Sequence, residues 1–313
     1  MAQSWQLQES GTMASLRGIS AVSDQVAWAS GTKGTILRTI DGGATWQSVN
    51  PPGVADLDFR DIEAISDRVA FAMSAGEGRS SRIYKTSDGG VTWALLRANG
   101  ADGFWDSLAM WDAAHGILMG DPVNGRFTIL TTGDGLNWTP VEGPKAETGE
   151  AAFAASGTAL IARGTREAWF ATGGPSGGRV FHSDDAGKTW TVARTPLKPA
   201  SDGAGIFSVA MAGSRGVAVG GDYTKPNEAA GNSVIWDGGK WTVAEGAPRG
   251  YRSAVARMGD RWIAVGTSGS DVSIDDGRTW RGFDDAAFNA LSVSGQTCWA
   301  VGPAGRIARL QNN

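Results

Sequence analysis

The chain has 313 residues, with 28 Lys and Arg against 32 Asp and Glu, 46 Gly and 14 Trp, but only 2 His and 1 Cys. The lone Cys298 excludes a disulfide scaffold within the chain, and so few His and Cys residues exclude a zinc cluster, leaving oxygen ligands for any metal. A net charge of −4 offers no basic field for a nucleic-acid backbone, and no run of about 18 apolar residues is present, so neither nucleic acid nor a membrane span is expected.

In chain order, one motif recurs. Thr39-Ile40-Asp41-Gly42-Gly43-Ala44-Thr45-Trp46 is followed by Thr86-Ser87-Asp88-Gly89-Gly90-Val91-Thr92-Trp93. Ser183-Asp184-Asp185-Ala186-Gly187-Lys188-Thr189-Trp190 and Ser273-Ile274-Asp275-Asp276-Gly277-Arg278-Thr279-Trp280 complete the full copies. All match S/T-x-D-x-G-x-x-W. Residues 132–138 and 235–241 hold worn copies, one residue shorter between Asp134 or Asp237 and the Trp, and the second lacks the leading hydroxyl. The pattern is that of a hairpin turn: Asp bonds the turn backbone, Gly takes a positive φ, and Trp starts the next strand.

The six Trp residues, at 46, 93, 138, 190, 241 and 280, lie 39 to 52 residues apart, the length of a four-stranded propeller blade. After Trp280 the chain holds three strand-like runs and no fourth, whereas Ser4-Trp5-Gln6-Leu7-Gln8 reads like the strand that follows each motif. The prediction is an all-β, seven-bladed β-propeller forming a single domain, its N-terminal strand closing the last blade and protecting both edges. The blades fall near 14–50, 57–98, 104–142, 150–195, 204–246, 250–284, and 288–313 with 3–9. Trp28, Trp169, Trp262 and Trp299 fall on second strands as core between blades, whereas Trp105 is placed at the channel mouth. His115 and His182 are read as structural.

With Phe104-Trp105-Asp106, Gly120-Asp121-Pro122, Gly220-Gly221-Asp222-Tyr223 and Gly250-Tyr251-Arg252-Ser253, the repeats resemble the Asp-box (BNR-like) propellers of bacteria related to the photosystem II stability/assembly factor, over essentially the whole chain. That resemblance implies an assembly or binding propeller, exported in many members. An oxidoreductase label, which some such proteins carry, has no support in these residues. There is no strand-Gly-x-Gly-x-x-Gly-helix unit and no redox Cys pair, and no cofactor is expected.

Propeller geometry places the starts of the innermost strands and the loops after the second strands on one face, around the central channel. Arg252, Arg17 and Arg60, with Asn289 between them, are expected to gather there as an anion or carboxylate site, since an Arg fork matches carboxylate geometry. Asp61, Asp106, Asp121 and Asp222, with Trp105, Tyr223 and Tyr251, complete the expected ligand-binding set. The plain alternative is that each Arg pairs with a neighbouring Asp as ordinary packing.

Two functions follow. One is a non-catalytic propeller, monomeric, that recognises a protein or a small anionic ligand. The other is a carbohydrate-active enzyme, a glycosidase or lyase, with Asp61 and Asp106 as the candidate catalytic residues, which would need carboxyls about 5 Å or about 6.5–9.5 Å apart. A sialidase fits poorly, because the first blade lacks that family's Arg-Ile-Pro opening. The insertions at 141–149 and 223–232 could shape specificity on the site face. A periplasmic or secreted location is favoured over a cytoplasmic one, as Met1-Ala2-Gln3-Ser4 suits a chain whose leader has been removed.

Overall fold

A computed structural model describes residues 3–100, 102–197 and 201–312. Met1 and Ala2, on which the reading of a removed leader rests, lie outside the described residues, as does Asn313. Seven four-stranded antiparallel sheets form a ring of blades, as predicted. Blade one comprises β2 (Leu16–Ala21), β3 (Ala27–Gly31), β4 (Ile36–Thr39) and β5 (Gln47–Ser48), from the channel outward. Blade seven comprises β26 (Ala290–Ser294), β27 (Thr297–Val301) and β28 (Ile307–Asn312), and its outermost strand is β1 (Gln3–Gln8). The register runs from Gln3 opposite Asn312 to Gln8 opposite Ile307. No helix among the described residues is long and apolar enough to cross a membrane.

The repeated motif joins the third and fourth strands. In the four full copies the leading hydroxyl, of Thr39, Thr86, Ser183 or Ser273, accepts the N–H of the motif Gly at 2.9 Å and donates to the Asp at 2.8 Å. Each Asp also accepts the N–H of the Thr four residues on at 2.9 Å. In the worn copy the Asn137 side chain takes over the Thr role, donating to Asp134 at 2.7 Å.

The core lies between blades rather than at the ring centre. Each innermost strand turns one face to a neighbouring blade, where Trp28, Trp262 and Trp299 are wholly buried on second strands. Burying an aromatic of this size stabilises the fold by about 2–3 kcal/mol, so the between-blade layers are the main source of cohesion.

In blade four, β14 (Leu160–Arg163) begins late, and the segment before it leaves the sheet to cross the ring. The Ser156 hydroxyl donates to the Ser253 carbonyl at 2.8 Å, and the Thr158 and Ser208 hydroxyls lie 2.7 Å apart. Arg60 Nη1 donates to the Ala154 carbonyl at 3.1 Å. Residues of blade four thus touch blades two, five and six and floor the channel mouth.

Candidate functional site

In blades one, two, three and five the innermost strand carries a β-bulge at its start. Pairing skips from Leu16 to Gly18, from Phe59 to Asp61, from Trp105 to Ser107 and from Ile206 to Ser208. The skipped residues are Arg17, Arg60, Asp106 and Phe207. A bulge frees its extra residue from the ladder and re-aims the side chain, and all four line one cavity of about 630 Å³ at the channel mouth.

The preceding residue has the opposite fate. The N–H groups of Leu16, Ile206, Arg252 and Phe288 each donate to a carbonyl at or near the end of the second strand of the preceding blade, at 3.0, 3.2, 2.9 and 3.1 Å. These residues share one core-facing position, to which Phe59 and Trp105 also belong by their bulges. Arg252 is therefore one residue out of register with Arg17 and Arg60, and Ser253 is their true counterpart. A one-residue slip turns a side chain to the other face of a strand.

This slip corrects two expectations. Arg252 is wholly buried, paired with Asp271 and donating to the Tyr251 carbonyl and the Ser268 hydroxyl, each at 2.8 Å; it is no part of the cavity. Trp105 is 1% exposed and packs between blades with Phe71 and Leu118, so it is not at the channel mouth. Two further residues are also absent from the cavity lining. Asp61 lies beneath it, accepting the Leu108 N–H at 2.7 Å, with Gly157 close against its carboxyl group. Asp222 shapes the turn into the 223–232 insertion, accepting bonds from Thr224 Oγ1 at 2.6 Å and Ser201 Oγ at 2.9 Å, and lines a separate recess with Leu197 and Val243.

The cavity does bring together Arg17, Arg60, Asp106, Asp121, Tyr223, Tyr251 and Asn289 from the predicted set. Arg60 is held by Asp58 at 2.8 Å. Arg17 has a buried Nε with no hydrogen-bond partner, and burial together with the adjacent Arg60 guanidinium pulls its pKa down. Two neighbouring guanidinium groups, that of Arg17 largely desolvated, favour an anion that can accept from both. Asn289 is anchored to the Leu16 carbonyl at 2.7 Å, fixing the side chain at the blade seven edge of the cavity.

The opposite wall is aromatic. Phe153 and Phe207 stack with centroids 3.9 Å apart, and Tyr251 meets Phe207 edge-on at 4.8 Å. Tyr223 rises from this wall at 56% exposure. Burial pushes the Tyr251 phenol well above its ordinary range, so it remains a hydrogen-bond donor at neutral pH.

Between these regions sit carboxyl groups. Burial and the neighbouring Asp121 push Asp106 well above the usual carboxylate range; burial likewise raises Asp121, whose Oδ1 accepts the Ala152 N–H at 2.9 Å. Glu77, Phe104, Asp202, Thr267 and the floor residues Ala152, Ala154 and Ala155 also line the cavity and were not anticipated. Glu77 follows the second strand of blade two, the type of position that singled out Asp121, so its signal was present. The floor had none, because a strand was expected there.

The Val141–Gly149 stretch leads to Glu150, whose buried carboxylate accepts from Arg179 Nε at 2.8 Å and Thr172 Oγ1 at 2.6 Å. His182 stacks on Trp169 and meets Glu167 at 3.2 Å, away from the cavity.

No protein-family model matches the chain, and no curated protein matches it. Solved structures do share its fold. YCF48 bound to D1 peptide is 14% identical with a TM-score of 0.70, covering 99% of this chain and 95% of that one. YCF48 from Cyanidioschyzon merolae is 16% identical with a TM-score of 0.68, covering 97% and 98%. Virginiamycin B lyase from Staphylococcus aureus is 13% identical with a TM-score of 0.73, covering 99% and 100%. At such identities the shared property is the propeller, which carries many functions.

Proposed function

We propose that this chain is a non-catalytic binding propeller, assembly-factor-like, that receives an anionic group of a protein or small ligand in the cavity at its channel mouth. The observation that carries this reading is Arg17, a partly desolvated guanidinium beside a second one, with its Nε unpaired and its side chain bulged into a cavity walled by Phe153, Phe207 and Tyr251. The likeness to YCF48, solved with a D1 peptide, supports a protein partner. Arg17 and Arg60 would hold the anion, Asn289 would orient it, and the aromatic wall would cover its apolar portion.

The carbohydrate-active alternative was framed on Asp61 and Asp106. Asp106 lines the cavity and Asp61 does not, so the two carboxyls do not face one substrate across it. The binding reading is therefore the better supported.

Titration with a mixed pool of acetylated acidic decapeptides tests it. Wild type should bind in a salt-sensitive manner, and Arg17→Ala should weaken binding by at least about tenfold, the loss of one charge-assisted bond. Equal binding by the Arg17→Ala protein would remove the basis of the proposal.

A further inference from the structure

The charge lining the cavity is not that of a simple anion site. Arg17 and Arg60 face Glu77, Asp106, Asp121 and Asp202, and Arg60 is already paired with Asp58 outside this set. No salt bridge among the described residues engages Glu77, Asp106 or Asp121. Asp106 lines the cavity at 1% exposure, and its Oδ2 has no hydrogen-bond partner. A buried acceptor left empty costs about 1–3 kcal/mol, a cost that a donor brought by a ligand would recover.

We infer that Asp106 and Asp121, with Glu77 above them, form a second subsite that takes a cationic nitrogen of the ligand, so that the cavity recognises a zwitterion. This rests on the anion-binding reading of Arg17 and adds a partner for the acidic side. A primary ammonium carries three donors and no acceptor, which suits an empty acceptor flanked by further carboxyl groups. Among the described residues no three His, Cys, Asp or Glu groups converge tightly enough to enclose one metal ion, so the subsite is looser than a metal centre, and a larger organic cation held by Asp106, with Asp121 and Glu77 farther out, suits these acceptors better. Burial and a neighbouring carboxyl group, Asp121 for Asp106 and Glu77 for Asp121, hold the two toward the protonated state against the pull of Arg60 on Asp106, and an arriving ammonium would favour their ionised forms, strengthening the contact. The Phe153 and Phe207 stack lies along the same cavity, so the ligand's body is apolar or aromatic. The class is that of a free aromatic amino acid, which carries both charges on one carbon.

Three probes of one shape separate the subsites: L-phenylalanine with both charges, 3-phenylpropanoate without the ammonium, and phenethylamine without the carboxylate. Titration calorimetry to about 10 mM should show phenylalanine binding at least about tenfold more tightly than 3-phenylpropanoate. Asp106→Asn should abolish that difference and leave 3-phenylpropanoate affinity unchanged. Glu77→Gln, on an exposed residue that bears little on folding, should narrow it in the same direction. The inference is overturned if 3-phenylpropanoate binds as tightly as phenylalanine, if both Asp106→Asn and Glu77→Gln leave the difference intact, or if no probe binds wild type. Arg17→Ala separates the two ideas. Loss of 3-phenylpropanoate binding in that variant, with no ammonium advantage in wild type, would sink the second subsite alone; probe binding indifferent to Arg17 would sink the anion-site reading.

Discussion

The Asp61 carboxylate accepts the Leu108 N–H at 2.7 Å, the same stitch between neighbouring innermost strands that the Ser208 hydroxyl makes to the Val255 N–H at 3.0 Å. Asp61 thus occupies the place of a serine and does a serine's work. Burial pushes its pKa up to about 7, and raises the nearby Glu63 as well. A carboxyl with a raised folded pKa binds its proton more tightly in the native state, so stability declines as pH climbs from about 4 to about 7 and stays low above that. Asp61→Asn, neutral throughout, should gain about 2–4 kcal/mol over wild type at pH ~8 and much less at pH ~4. Urea denaturation at the two pH values checks this, and a variant weaker than wild type at the higher pH would contradict it.

Arg252 and Arg17 should part company under mutation. Arg252→Ala leaves the wholly buried Asp271 with only the half-exposed Arg249 at 3.2 Å, at a cost of about 3–5 kcal/mol. Its folded fraction should keep wild-type affinity for an anionic probe. Arg17→Ala should lose that affinity with little change in melting temperature, because Arg17 has no ion-pair partner among the described residues and sits beside a like charge. Paired melting and binding curves distinguish the two outcomes.

The motif turns confer acid sensitivity. The Thr45 and Thr92 hydroxyls and N–H groups hold Asp41 and Asp88 at about 2. Their folded pKa values lie below the unfolded value of about 3.9, so their contribution is present above about pH 4 and is lost as pH falls toward 2. Asp41→Asn combined with Asp88→Asn should flatten stability over that window relative to wild type. An unaltered acid limb in denaturation midpoints measured against pH would argue against it.

Ala186 and Gly187 adjoin in the blade four turn, both with positive φ, 62° and 82°. Ala186 stands where blade one has Gly42, with nothing but its own backbone demanding a glycine, so Ala186→Gly should stabilise by about 0.5–1 kcal/mol. Gly187→Ala should do the reverse by about 1–3 kcal/mol, since its Cβ would lie 2.7 Å from Ile117 Cδ1. Thermal melts of the two single variants provide the comparison.

The blade count and the closing role of residues 3–8 were legible because hairpin turns need special residues at fixed offsets, and those residues repeat visibly. The cavity was legible only to within one residue. Tyr251-Arg252 looks like Phe59-Arg60, yet the hydrogen bond from Arg252 to the Gly220 carbonyl aligns it with Phe59 instead. A bulge inserts a residue without leaving a compositional mark, so the face on which a side chain emerges cannot be counted from the motif. Trp105 was misplaced for the same reason. The blade four crossing was hidden differently: Ser156-Gly157 signals a turn, but nothing local says that the chain leaves the sheet, and its path is set by contacts with blades remote in sequence, such as Ser156 with Ser253.

The pairing of β1 with β28 sets the order in which the molecule can be completed. The strand that comes first in the chain has its ladder partner among the last residues, so the ring cannot shut until every blade between them is in place. Until then both flanks of the nascent ring present unpaired backbone to solvent and to other chains, the most aggregation-prone interval in its assembly. Shortening that interval, for instance by permuting the chain so that β1 follows β28 directly, would raise the yield of soluble protein while leaving the cavity, built by the innermost strands, unchanged.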